Sequence, residues 1–179
     1  QRQVFDAAFS WARNKVKCKL AGLPFNEKPV NLFLTGGAGS GKSHVARAIY
    51  HAWEKTFSSI SSDVNKIKVL TIAPTGVAAI NVNGTTVNSA LGIPPNNRTV
   101  LPALSSEKKS MLRNMYSELQ AIVIDEVSMI SNIRLLHIHN RLCEIFGCQS
   151  YCKFANLSVI VVGDLLQLPP IRQSQIFAL

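Results

Sequence analysis

Four apolar runs constrain the fold of this chain most, because each is typical of a strand buried on both faces. None of them alternates apolar with polar residues, which is the pattern of strands inside a parallel sheet. The predicted strands are 30–35, 68–74, 121–126 and 158–164. Helical periodicities predict helices over 4–17, 42–57, 76–82, 108–119 and 132–146. This alternation predicts an α/β three-layer sandwich with a mainly parallel sheet and right-handed crossovers.

The composition fits one folded domain. Hydrophobic residues make up 47% of the 179 residues and charged residues 16%, as in ordinary globular proteins. No apolar run approaches the roughly 20 residues that cross a bilayer, so we expect no membrane partner. The net charge of +9 favours polyanionic partners such as nucleic acid. We expect residues 1–179 to be one piece of a longer protein.

The four cysteines are too few and too clustered for a disulfide framework. Cys143, Cys148 and Cys152 follow His137 and His139, which leaves a metal site as an alternative. The segment contains no Cys-x-x-Cys pair, so reduced intracellular thiols are the favoured interpretation. We expect an intracellular protein, in the nucleus or mitochondrion if the source is eukaryotic. The proline-rich stretch 93–109 is predicted to be a mobile loop.

The stretch "GGAGSGKS" follows the first strand and begins a helix, which is the context of a phosphate-binding loop. Backbone N–H groups of such a loop, together with the helix N-terminus, bind the β-phosphate. Lys42 is expected to reach the β- and γ-phosphates, and the Ser43 hydroxyl to bind Mg²⁺. The predicted nucleotide-binding residues of the loop are Gly36, Gly37, Ala38, Gly39, Ser40, Gly41, Lys42 and Ser43.

A second candidate site is the acidic pair at the end of the third strand. Two adjacent carboxylates at the end of a buried strand are costly unless they face a metal. Asp125 is predicted to hold the magnesium shell with Ser43, and Glu126 to polarise the attacking water. Nucleoside triphosphate hydrolysis follows from the two motifs together. The Asn-Lys-x-Asp signature of GTPases is absent after the predicted strands, since the pair Asn65-Lys66 continues with Ile67-Lys68 and precedes its strand. ATP is therefore favoured.

The second strand ends at Pro74 and leads into another helix. Small hydroxyl and amide side chains cluster there, as expected for contacts to a polymer with regularly spaced phosphates. The alternative is a set of simple helix caps. The candidate DNA-binding residues are Thr75, Gly76, Thr85, Thr86, Asn88 and Ser89.

Five motifs occur in a fixed order: "GGAGSGKS", "TIAPTGVAA", "GTTVNS", "IDEVSM" and "VVGDLLQLPP". In this order they resemble the first motor domain of Pif-type superfamily-1B DNA helicases, relatives of RecD and of Helitron helicases. The opening "QRQVFDAA" is similar to the glutamine motif of that family. Asn88, where the family usually has histidine, and "FANLS" (154–158) depart from the family pattern.

The resemblance implies a RecA-like P-loop NTPase domain that uses ATP and Mg²⁺ to move 5′ to 3′ on single-stranded DNA. Gln1 would contact the adenine, and Gln167 would sense the γ-phosphate. Thr75, Gly76 and residues 84–89 would contact single-stranded DNA. The resemblance also implies unwinding of duplex or forked DNA in repair, recombination, replication or telomere maintenance.

The resemblance implies that the second RecA-like domain and its arginine lie beyond Leu179. We therefore expect residues 1–179 alone, the N-terminal ATPase domain, to be nearly inactive. Two alternatives stay open. One is a P-loop ATPase that switches its affinity for a nucleic acid or a protein without translocating. The other is a non-catalytic module that only binds.

Overall fold

The computed structural model describes residues 1–95, 99–149, 151–164, 166–167, 170, 174 and 176. Its helices are α1 (Arg2–Leu20), α2 (Lys42–Ser58), α3 (Gly76–Asn81), α4 (Val87–Leu91), α5 (Ser106–Met115) and α6 (Asn132–Phe146). Its strands are β1 (Asn31–Leu34), β2 (Val69–Ala73), β3 (Thr85–Thr86), β4 (Ala121–Ile124) and β5 (Ser158–Val162). Within these ranges every helix is too short or too polar to cross a bilayer.

The described strands form one parallel sheet in the order β1-β5-β4-β2-β3. Leu34 pairs with Val162, and Ile124 pairs with both Val161 and Ile72. The carboxyl ends of the central strands therefore meet at one edge of the sheet. This edge is where ligands bind in open α/β sheets. The predicted parallel α/β sandwich is confirmed.

Each face of the sheet has its own hydrophobic core, which gives three layers. On one face α1 and α2 cover residues such as Val123 and Ile160, with Trp53 fully buried among them. On the other face α4, α5 and α6 cover residues such as Ile72 and Ile122. Strand side chains alternate between these two cores, which is why the sequence shows continuous apolar runs.

Several predicted boundaries were wrong. The sequence pattern missed β3 and α4, which occupy only Thr85–Leu91 and are too short to show a period. α5 begins at Ser106 because the Ser105 hydroxyl accepts a hydrogen bond from the Lys108 N–H and caps the helix. The end of the predicted loop 93–109 is therefore helical.

The described part of the 92–104 segment is attached to α6 by side chains. Arg134 donates to the Pro94 carbonyl at 2.7 Å, and the Leu104 N–H donates to the Glu144 carboxylate at 2.9 Å. The buried Arg141 donates to the Pro102 carbonyl at 2.8 Å. These bonds tie the segment to the sandwich, whereas the sequence predicted a mobile loop.

Candidate functional site

The phosphate loop lies between β1 and α2, as the sequence predicted. Gly41 has a φ of 82°, in the left-handed region that favours glycine. A Cβ atom on Gly41 would lie 2.7 Å from the amide nitrogen of Gln1. The backbone conformation thus favours glycine at the turn into α2, and a larger residue would also displace the Gln1 side chain.

Lys42 folds back onto its own loop. Its ammonium group donates to the Gly36 carbonyl and, at 2.8 Å, to the Gly37 carbonyl. The Ser40 hydroxyl lies 3.5 Å from the same ammonium. All three partners belong to the phosphate loop, so an anion that enters the loop can replace them.

Gln1 is placed against the phosphate loop. Its side-chain amide donates to the Ser40 carbonyl at 2.6 Å. A cavity of about 300 Å³ lies beside this contact. Its lining residues are Gln1, Val4, Phe33, Leu34, Thr35, Ser40, Lys42 and Val45. The sequence had given no sign of Thr35 as a lining residue.

Asp125 follows the last residue of β4 and is only 8% exposed. Burial raises the pKa of its carboxyl, while the Glu126 N–H, Lys42 and Arg47 oppose that rise. Ser43 and Asp125 line the same small cavity. The model therefore brings together the hydroxyl and the carboxylate that the sequence assigned to a magnesium site.

Glu126 adopts an unusual backbone conformation, with φ 50° and ψ 44°. Such a conformation in a residue other than glycine is uncommon and is often found at functional sites. Burial and the charge of Asp125 raise the pKa of the Glu126 carboxyl; Lys42 lowers it, and Asp164 raises it further. Three carboxyl groups and the loop lysine thus share one electrostatic environment.

The end of β5 is pressed against the residues that follow β4. A Cβ atom on Gly163 would lie 2.8 Å from a methyl carbon of Val127, so a larger residue would push the two segments apart. Beyond it, the Asp164 carbonyl accepts from the Gln167 N–H at 3.0 Å. Asp164 is buried, and Gln167 is exposed.

Gln167 and Glu126 line one open cleft of about 660 Å³, which also reaches α3. Its lining residues are Thr75, Val77, Ala78, Asn81, Glu126, Ser128, Met129, Leu166 and Gln167. Gln167 therefore lies beyond the carboxyl end of β5 and beside Glu126; its predicted role as a γ-phosphate sensor stays a prediction. Pro169, expected to stiffen this segment, lies outside the described residues, and Pro170 is buried.

The candidate DNA-binding residues lie beyond the carboxyl end of β2. The Thr75 hydroxyl accepts from the Ala78 N–H at 3.2 Å, and the Thr86 hydroxyl accepts from the Ser89 N–H at 3.2 Å. Both threonines are therefore helix caps, the alternative that the sequence left open. The Thr75 hydroxyl can still donate its proton to a phosphate oxygen, whereas the Thr86 hydroxyl donates its proton to the Ser89 hydroxyl. Gly76 is exposed on the same surface.

The other three candidates lie next to the second helix cap, Thr86. Thr85 directly precedes it, and Asn88 and Ser89 follow it. Ser89 is exposed, with its hydroxyl accepting from the Thr86 hydroxyl at 3.0 Å. Thr85 and Asn88 are half-buried. The segment as a whole is thus only partly open to a ligand.

Arg47 is the residue of this region that the sequence reasoning missed. It lies one helical turn after Ser43, and its charge lowers the pKa of the Asp125 carboxyl. The spacing of four residues from Ser43, a predicted magnesium ligand, was the available signal.

The cysteine segment shows no metal geometry. All four cysteines are free, and the Cys143 sulfur lies 3.8 Å from Nδ1 of His139. Across the parts of the chain that the model describes, no three His, Cys, Asp or Glu side chains are grouped to hold a metal ion.

Comparison with known proteins places these features in a family. The family model described as PIF1-like helicase matches residues 11–177. The ATP-dependent DNA helicase Pif1 of a Psychrobacter species is 32% identical over 142 residues, which cover 79% of this chain and 20% of that protein.

Solved structures give the same answer. Bacteroides Pif1 bound to single-stranded DNA has a TM-score of 0.58 and 30% identity, covering 90% of this chain and 33% of that one. A Pif1 helicase from Bacteroides in complex with ADP-AlF3 and single-stranded DNA has a TM-score of 0.59 and 28% identity, covering 91% of this chain and 34% of that one. The chain spans about a fifth of the curated relative and a third of the solved chains. The match of the family model over most of its length shows that the chain belongs to the PIF1-like helicase family.

Proposed function

We propose that this chain is the nucleotide-hydrolysing motor domain of an ATP-dependent DNA helicase. The observation that carries the proposal is the convergence of Lys42, Asp125, Glu126 and Gln167 on one edge of the sheet. In phosphoryl transfer, protein groups act mainly by positioning and by stabilising charge. The four residues supply those roles: Lys42 is the loop cation, Asp125 and Glu126 are the carboxylates, and Gln167 is the amide donor.

Ser43 and Asp125 would hold a magnesium ion. Both are oxygen donors that line one cavity, and Mg²⁺ typically takes one or two protein carboxylates together with phosphate oxygens. The bound ion would neutralise charge on the phosphates. Lys42 would leave the Gly36 and Gly37 carbonyls and donate to the phosphates in their place.

Glu126 would accept a proton from the attacking water. Its raised pKa brings the carboxylate closer to neutral pH, which favours general-base catalysis. Gln167, across the same cleft, would orient the water or a γ-phosphate oxygen. The cavity beside Gln1 would take the adenine, whose ring edge pairs with an amide side chain.

Single-stranded DNA would cross the surface formed by Thr75, Gly76 and residues 84–89. Two solved relatives, 30% and 28% identical to this chain, are complexes with single-stranded DNA, which supports single-stranded DNA as the ligand. We propose that a second RecA-like domain of the same protein completes the nucleotide site with an arginine. In related enzymes such an arginine contributes on the order of 10³–10⁵ in rate.

A strand-displacement assay on the full-length protein tests the proposal. The substrate is a duplex with a single-stranded 5′ tail, and the same duplex with a 3′ tail is the control. We expect ATP-dependent displacement on the 5′ tail only. Hydrolysis of ATP without displacement on either substrate would support the nucleotide-switched binding module instead. The absence of any ATP hydrolysis would overturn both.

A further inference from the structure

Arg47, which lies on α2, contacts the C-terminal end of α3. Its guanidinium donates to the Asn81 carbonyl at 3.4 Å. Asn81 is the last residue of α3, and Arg47 lies one turn beyond Ser43 on α2. Carbonyls at a helix end have no partner within the helix and carry partial negative charge, so a cation is a fitting neighbour.

Arg47 also acts on the candidate magnesium ligand. It shares with Asp125 a small cavity of about 20 Å³, so the guanidinium and the carboxylate face the same space. Ser43, Thr71 and Val82 line the same cavity. The Arg47 side chain therefore lies between the Asp125 carboxylate and the last turn of α3.

The segment after Asn81 has little freedom to absorb a displacement. A Cβ atom on Gly84 would lie 2.5 Å from the Thr71 carbonyl oxygen, so the chain passes directly over β2. The next two residues pair with Ile72 and Ala73 as β3. A shift at the end of α3 is therefore passed on to Thr85 and Thr86, because close-packed segments move together.

We propose that Arg47 is a positioning residue that couples the occupied nucleotide site to the DNA affinity of residues 81–89. When Asp125 coordinates a cation, Arg47 loses part of its attraction to that carboxylate, since the cation repels it. Arg47 is then drawn more strongly to the Asn81 carbonyl. This attraction changes the position of α3 and β3 on the sheet. The inference rests on the proposed function and adds its coupling residue.

A merely structural role for Arg47 predicts something different. The side chain is exposed, and exposed polar contacts of this kind contribute little to stability. Its loss should therefore leave thermal melting unchanged. Coupling is instead a difference between two binding free energies and can vanish without any loss of stability.

The test measures the Kd of the full-length protein for a fluorescent oligo(dT), with and without magnesium, ADP and aluminium fluoride. The ratio of the two Kd values is the coupling factor, which in allosteric proteins is typically about 5–150. Arg47→Met should bring this ratio close to one. Arg47→Lys should restore part of it, because lysine keeps the charge but not the planar donor pair. Lys55→Met, on the same helix and exposed, removes an equal charge and should leave the ratio unchanged.

The outcomes separate the inference from the proposed function. A wild-type coupling factor that persists in Arg47→Met overturns the inference alone. A ratio that falls equally in Lys55→Met also overturns it, because net charge would then be the cause. If the wild type binds no oligo(dT) in either state, the proposed function fails, and the inference falls with it.

Discussion

Arg141 and Lys42 both donate to backbone carbonyls, but they differ in how deeply they are buried. Arg141 is 1% exposed and donates to the Pro102 and Gly92 carbonyls at 2.8 and 3.5 Å, with Glu144 as its ion-pair partner. Lys42 donates to two carbonyls of its own loop, at a site that is open to solvent on one side. The Arg141 guanidinium is buried, although Gly92 and Glu144 are only half-buried and Pro102 is exposed. Lys42 is itself half-exposed, so an anion can replace its partners.

This difference shows that burial distinguishes a charged side chain that stabilises the fold from one that is available to a ligand. A buried cation is locked in place by its partners, since removing either member of a buried ion pair leaves an uncompensated charge. A half-exposed cation on loop carbonyls loses little when an anion takes their place. The same contrast holds for the carboxylates: Glu144 binds Arg141, whereas Asp125 and Glu126 repel each other at the edge of the sheet.

The largest effect should come from Glu126→Gln, which keeps the shape of the side chain but removes the general base. We expect ATP turnover of the full-length protein to fall by about 10²–10⁴, with nucleotide affinity preserved. Single-turnover hydrolysis and a separate nucleotide-binding titration measure the two quantities. Unchanged turnover would show that Glu126 is no part of the chemistry.

Arg141→Ala should act on stability and spare the chemistry. It leaves the partners on the 92–104 segment unsatisfied, at a cost of roughly 3 kcal/mol in the free energy of unfolding. Urea denaturation measures the change. Arg13→Ala is the matched control, because Arg13 is exposed and only stacks on Phe9. If both variants lose the same stability, Arg141 is not the locked cation described here.

The pH dependence of turnover should have an acid limb that is set by the raised pKa of Glu126. A carboxyl with a raised pKa becomes ionised only at higher pH, so the active form is lost early as the pH falls. The limb should therefore lie above the ordinary glutamate value of about 4.3. Glu118→Gln is the control: hydrogen bonds from Ser61 and Ser62 lower the pKa of Glu118 to about 2, far from the site, and its loss should not move the limb.

Thr71→Val should have the smallest effect. Among the described residues, the buried Thr71 hydroxyl has no hydrogen-bond partner, and valine has nearly the same shape. We expect the free energy of unfolding to rise by up to about 1 kcal/mol, the low end of the cost of an unsatisfied buried group. A clear loss of stability in thermal or urea unfolding would mean that the hydroxyl is satisfied in solution.

The sequence predicted most of the fold because its central strands are buried on both faces. The phosphate loop and the Asp125–Glu126 pair were equally visible, since each follows directly from a strand end. Short elements were not: β3 and α4 show no period. Arg47 and Thr35 were missed because their roles depend on contacts between elements distant along the chain. The attachment of the 92–104 segment to α6 was invisible for the same reason.

We infer above all that phosphate oxygens replace the Gly36 and Gly37 carbonyls as hydrogen-bond acceptors of Lys42 when nucleotide binds. ATP turnover of full-length Lys42→Ala, measured with saturating oligo(dT) and alongside urea denaturation, tests it most directly. We expect turnover to fall by about 10²–10³, the cost of losing one charge-stabilising donor, while the free energy of unfolding stays at the wild-type value. Undiminished turnover, with a lower free energy of unfolding, would show that Lys42 is a structural cation like Arg141.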